Sequence, residues 1–111
     1  MNRLYGLIGF PLGHSFSARY FTEKFQRENL SGYEYRNFPL ESIRELPAML
    51  ENHPGLLGFN VTIPYKQEVI PFLTALSAEA REIGAVNCVK ITPQGLYGHN
   101  TDAYGFRKSL L

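Results

Sequence analysis

In the segment Gly58-Phe59-Asn60-Val61-Thr62-Ile63-Pro64-Tyr65-Lys66 an apolar run gives way to small polar side chains and then a lysine. Asn60 can donate and accept hydrogen bonds, Thr62 can do both through one hydroxyl, and Asn87 repeats the amide further along, a set that suits a polyhydroxylated ligand. Lys66 beside a carboxylate could pass a proton to or from a ligand oxygen, since burial and neighbours can bring a lysine toward the working pH. The cluster Asn100-Thr101-Asp102 supplies such a carboxylate. Ser15 and Ser17 follow a turn containing Gly and Pro, where the start of a helix would offer backbone N–H groups and a positive dipole end to a carboxylate ligand. Each has a plainer alternative. Lys66 and Asp102 could be two surface charges among eleven basic and ten acidic residues, Asp102 or one serine a helix N-cap, and Asn87 a strand-end residue satisfying backbone groups. Placement beyond the carboxyl ends of strands, where ligands sit in open α/β sheets, is the argument for a site.

The elements that must position these residues follow from periodicity and punctuation. Residues 3–10 form an apolar run without clean alternation, as in a strand covered on both faces. Pro11 to His14 then make a turn, and Ser15 or Ser17 caps a helix in which Tyr20, Phe21 and Phe25 recur at helical spacing until Ser31-Gly32. Tyr33, Tyr35, Asn37 and Phe38 read as a second strand. Pro47 fits the first turn of a short helix that stops before Pro54-Gly55, and a third strand runs from about Leu56 to Val61. Pro64 and Pro71 limit Tyr65 to Ile70 to little more than one helical turn; Ser77 caps a helix to Ile83 with Gly84 as its stop. Ala85 to Ile91 and Leu96 to His99 are strand-like around the type I turn Thr92-Pro93-Gln94-Gly95. The expectation is one α/β domain: a mainly parallel sheet with an antiparallel hairpin and helices on both faces. Residues 1–101 would form that domain. Residues 102–111 look like the opening turns of a helix, so the chain reads as one domain of a longer protein.

Composition excludes several classes. The 111 residues suit one modest core, and 44% apolar, 14% aromatic and 19% charged residues are ordinary for a globular chain. A net charge of +1 without blocks of like charge leaves no electrostatic footprint for nucleic acid or an anionic membrane. There is neither a signal peptide nor a membrane-length apolar run, and Cys88 is alone, which together suggest a cytoplasmic protein with no disulfide framework. Cys88 itself reads as a small buried hydrophobe. His14, His53 and His99 form no ligand pair, so no metal is expected. Gly6 to Gly13 has neither the G-x-G-x-x-G spacing of a dinucleotide site nor a phosphate loop, and no nucleophile elbow is present. Tyr65 is as fit to pack its ring as to use its hydroxyl. The fifteen Phe and Tyr residues could include an oligomer surface, and the oligomeric state stays open.

Four ordered motifs, Gly9-Phe10-Pro11-Leu12-Gly13-His14-Ser15-Phe16-Ser17, Gly58 to Lys66, Gly84-Ala85-Val86-Asn87 and Gly98-His99-Asn100-Thr101-Asp102-Ala103-Tyr104-Gly105, resemble the amino-terminal, substrate-binding domain of the shikimate dehydrogenase family. The resemblance covers essentially the whole chain and lacks the family's NADP-binding domain. It implies reversible, NADPH-dependent reduction of 3-dehydroshikimate to shikimate, a step of aromatic amino acid biosynthesis, with hydride going to the ring carbonyl carbon. It further implies that Ser15 and Ser17 hold the substrate carboxylate, that Asn60, Thr62, Asn87 and Asp102 bind ring hydroxyls, and that Lys66, paired with Asp102, protonates the oxygen. Thr101 is a lesser candidate for substrate contact. Ala18 stands where the family often has proline, and Cys88 where threonine commonly follows the asparagine. Two serines favour shikimate over quinate. The chain alone would then be half a site, without a pocket for the hydride donor. The competing reading is a stand-alone module that binds shikimate-like acids without chemistry.

Overall fold

A computed structural model describes residues 3–12, 23–24, 26–28 and 32–101. Six strands, β1 (Arg3–Gly9), β2 (Tyr33–Pro39), β3 (Leu56–Val61), β4 (Ala75–Leu76), β5 (Cys88–Thr92) and β6 (Gly95–His99), form one sheet in the order β2-β1-β3-β5-β6-β4. β1 pairs in parallel with β2 and β3, β5 is antiparallel to β3 and β6, and β4 lies parallel to β6. β5 is therefore the one reversed strand, and the mainly parallel sheet with an antiparallel hairpin expected from the sequence is what forms. Among the described residues, helices α1 (Leu46–Asn52) and α2 (Ala78–Ile83) accompany the sheet, and Glu23, Lys24, Gln26 and Arg27 are helical within the first expected helix.

The faces of the sheet follow from the pleat. Ile8, Phe38, Phe59, Val61 and Val89 point to one side, where Leu46 and Met49 of α1 and Ala80 of α2 pack on them in the main core. Ile8, Leu46, Val69, Val86 and Val89 are almost wholly inaccessible. The opposite side carries a smaller cluster of Leu7, Leu12 and Tyr35, with Tyr5 against it.

Local chemistry sets the boundaries. The Ser77 hydroxyl accepts from the Ala80 N–H at 3.1 Å and caps α2, while Gly84 ends it in the left-handed conformation at φ 75°, which costs glycine little. α1 carries its proline in the first turn as expected, but a 3-10 turn, Ile43–Glu45, precedes it. That turn starts on a capping box in which Ser42 accepts from Arg44 N–H at 3.2 Å and Glu45 accepts from Ser42 N–H at 2.8 Å, the pairing that a Ser-x-x-Glu sequence signals.

The structure differs from expectation in its details. The strand β4 was not expected: it is only two residues long and leaves no periodicity to read. β5 begins at Cys88 rather than Ala85, because Val86 N–H turns aside to the Lys66 carbonyl at 2.8 Å. Residues 66–69 form turns closed by one helical bond, Val69 N–H to Tyr65 O at 3.0 Å, in keeping with the single turn expected there, and the 3-10 segment Ile70–Phe72 follows with Pro71 in its first turn.

Candidate functional site at the carboxyl edge of the sheet

Reversal of β5 decides which residues meet. With the other strands running the same way, the carboxyl ends of β1, β3 and β6 and the amino end of β5 lie at one edge of the sheet. Asn60 is the penultimate residue of β3, Thr62 follows it, Asn87 precedes β5 and Thr101 follows β6 by two residues. Backbone bonds tie these segments together. Thr62 N–H donates to Ile8 O at 3.0 Å, Val61 N–H to Asn87 O at 2.9 Å, Asn87 N–H to His99 O at 3.1 Å, and Val86 N–H to Lys66 O at 2.8 Å. Asn60, Thr62, Lys66 and Asn87 are each half-buried, and Thr101 is exposed. Five of the eight residues named from the sequence are thus drawn to one edge. Ser15, Ser17 and Asp102 lie outside the described residues.

Asn60 sits on the sheet face of Leu7, opposite Cys88, and its Nδ2 donates to the Tyr35 hydroxyl at 2.9 Å. Tyr35, from the middle of β2, is buried, and burial pushes its phenol up from the ordinary value of 10.0, so it is neutral when it receives this bond. Tyr35 was not among the residues expected at the site; the alternation of Tyr33, Tyr35 and Asn37 places Tyr35 and Asn60 on one face once the strand order is known. Tyr5, Tyr35, Asn60, Cys88, Lys90 and His99 line a cavity of about 650 Å³ on that face. Cys88 is half-buried rather than a core residue, and burial raises its thiol from 9.0, which keeps it protonated near neutrality.

At the other end of the site, the Thr101 N–H donates to Asn87 Oδ1 and Asn87 Nδ2 donates to Thr101 Oγ1, both at 3.0 Å. Asn100, 7% exposed, donates through Nδ2 to the Ala85 carbonyl at 3.1 Å and braces the loop that carries Asn87. Buried polar groups must find partners, and here the partnership sets a loop. Tyr65 is 4% exposed and its hydroxyl donates to the Leu40 carbonyl, so this tyrosine packs and anchors the turn that carries Lys66.

The described residues hold no group of three His, Cys, Asp or Glu side chains placed to bind a metal, and no described helix is long and apolar enough to cross a membrane. The glycines at the end of β1 have the wrong spacing for a dinucleotide, so no residue here is assigned to that role.

Comparison with known proteins gives the chemistry a family. The family model for the shikimate dehydrogenase substrate binding domain matches residues 7–89. The Shikimate dehydrogenase (NADP(+)) of Clostridium perfringens is 40% identical over 116 residues, covering 97% of this chain and 40% of that protein. A crystal structure of the Listeria monocytogenes shikimate 5-dehydrogenase in complex with shikimate and NAD superposes with a TM-score of 0.83 at 34% identity, over 98% of this chain and 38% of that one. The ligand-free 5-ketofructose reductase of a Gluconobacter strain is equally close in shape, with a TM-score of 0.84, 29% identity, and coverage of 99% and 40%. The chain spans about 40% of the length of the curated relatives it matches.

Proposed function

The chain belongs to the shikimate dehydrogenase family, as its substrate-binding domain, and from that premise we propose that it is the substrate-binding and proton-transfer half of an NADP-dependent oxidoreductase interconverting 3-dehydroshikimate and shikimate. The observation that carries the reading is the gathering of Asn60, Thr62, the Lys66 turn, Asn87 and Thr101 at one sheet edge, which matches the demand of a ring bearing several hydroxyls. Residues 1–101 act as the substrate domain and residues 102–111 open a linker helix toward an NADP-binding domain. The location is cytoplasmic, the step belongs to aromatic amino acid biosynthesis, and neither nucleic acid nor membrane is a partner.

In this proposal Ser15 and Ser17 hold the substrate carboxylate, and Asn60, Thr62 and Asn87 orient the ring, with Thr101 a further polar group at that end. NADP supplies the hydride when bound. Lys66, paired with Asp102, gives a proton to the carbonyl oxygen on reduction and takes it back on oxidation. Positioning and proton transfer are the contributions this chain can make; general acid catalysis of this kind is worth about 10²- to 10⁴-fold.

The test is NADP+ reduction with shikimate, and NADPH oxidation with 5-ketofructose, the carbonyl compound for which the Gluconobacter reductase is named, by the full-length gene product before and after Lys66→Ala. Shikimate should be turned over, and the substitution should lower kcat by at least 10²-fold while changing substrate affinity far less. An unchanged rate removes Lys66 from the mechanism, and turnover of 5-ketofructose alone replaces the substrate assignment. The 111-residue chain by itself should show no turnover.

A further inference from the structure

The two bonds between Asn87 and Thr101 determine what Asn87 can offer a ligand. The Thr101 backbone N–H is a donor without an alternative, so the atom it meets must be the amide oxygen; turning the amide over would oppose donor to donor. Asn87 Nδ2 is then the atom facing Thr101, and it gives one of its two hydrogens to Oγ1. One N–H of Asn87 remains, its direction set by the other two contacts. Thr101 begins the helical conformation after β6, so the same pair also supplies an acceptor to a first-turn N–H.

We propose that Thr101 is a positioning residue that acts through Asn87, locking the amide so that it presents a single N–H donor to the ligand. This rests on the shikimate-binding reading and sharpens it. The point of the ligand that meets Asn87 must be an oxygen able to accept, which a ring hydroxyl and a ring carbonyl both satisfy, whereas an ammonium in its place would set donor against donor. Asn87 therefore tolerates both redox states of the substrate and rejects amino analogues. Without the Thr101 hydroxyl one of the two restraints is gone, and the free N–H is no longer held toward the ligand.

The experiment is a double-mutant cycle in the full-length gene product, reading KM and kcat for shikimate in wild type, Thr101→Val, Asn87→Ala and the double variant. Thr101→Val should raise KM roughly 3- to 10-fold, the loss of one neutral hydrogen bond, and lower kcat less. Thr101→Ser should restore KM. In the Asn87→Ala background Thr101→Val should change KM by less than about 2-fold, because its effect passes through the amide. An undiminished effect there would mean that Thr101 meets the ligand itself and would overturn the proposal, as would an unchanged KM for Thr101→Val in the wild-type background. If wild type bound no shikimate, the proposed function would fall, and the side-chain NH2 resonances of Asn87, identified by their loss in Asn87→Ala, would still decide this point. They should be well dispersed in wild type and Thr101→Ser, and collapse toward free-amide positions in Thr101→Val. Resonances indifferent to Thr101→Val would refute the lock.

Discussion

Gly9 closes β1 at the mouth of the site, and replacing it with alanine tests how tightly that edge is built. A Cβ at this position would stand 2.5 Å from Thr62 Cγ2, 3.0 Å from the Ile63 carbonyl oxygen and 3.0 Å from Leu12 Cδ2. The first contact cannot be accommodated as it is. Thr62 is β-branched, so its methyl can leave only by turning χ1, which carries the hydroxyl with it. Two effects on stability compete. Gly→Ala in an extended strand stabilises by about 0.4–1 kcal/mol through the unfolded chain, while overpacking costs about 1–3 kcal/mol. The carbonyl belongs to backbone that receives Phe10 N–H at 3.1 Å and cannot easily retreat, so overpacking should win, by about 1–2 kcal/mol. For 111 residues that is a fall in Tm of roughly 4–9 °C. Thermal unfolding by circular dichroism reads the first consequence. The second, read in the full-length gene product, is a rise in shikimate KM comparable to that of Thr62→Val, with little further rise when the two are combined, since each removes the same hydroxyl from its place. A Gly9→Ala variant that melts at or above the wild-type temperature with unchanged KM would show that the contact between β1 and Thr62 does not constrain the site.

Asn100→Ala should cost about 1–3 kcal/mol in urea unfolding, because it removes a buried amide and leaves the half-buried Ala85 carbonyl without that donor; a loss below about 0.5 kcal/mol would mean that water replaces the amide. Tyr35→Phe removes the acceptor of Asn60 Nδ2 and should raise shikimate KM while leaving the pH profile of kcat in place, which steady-state kinetics would check. Alkaline stability follows from Cys88 and Tyr35, whose acidic groups are both raised by burial. For a raised acid the unfolded chain releases its proton first, so the stabilisation is complete below the unfolded value and is lost as pH rises through the folded one. Stability should therefore decline from about pH 9 for the cysteine and pH 10 for the tyrosine. Cys88→Ala should flatten the first part of that decline in urea titrations; superposed wild-type and variant slopes would contradict the assignment.

Most of the architecture was legible because its signals are local. Ser77 and Gly84 bracket α2, Pro47 marks the start of α1, and Thr92 to Gly95 bend the chain back between β5 and β6. What was not legible depends on contacts between distant segments. β4 is too short to show a period and exists because β6 offers it an edge. The Tyr35 to Asn60 bond joins residues 25 apart in sequence, and it can be expected only after β1 is known to lie between their strands. Cys88 reads as a core residue from its type alone, yet its place in the pleat turns it toward the cavity beside Asn60.

The same dependence governs the site itself. A polar cluster after each strand implies a shared site only if the strand ends coincide, and a hairpin ordinarily separates them: the entry to one strand faces the exit of the next. Here that opposition brings the groups together. Asn87 precedes the five residues of β5 and Thr101 follows the five of β6, and pairing of Cys88 with His99 sets the two ends side by side. Had β5 run parallel to β3, Asn87 would have been displaced by the length of the strand, about 17 Å at 3.3 Å per residue, to the far edge of the sheet. The amide could then meet neither Thr101 nor the Lys66 turn. One reversed strand in a parallel sheet is thus what lets four separated segments converge, and it explains why Asn87, unremarkable as a single residue, is held by Thr101 at the edge where Thr62 and Lys66 emerge.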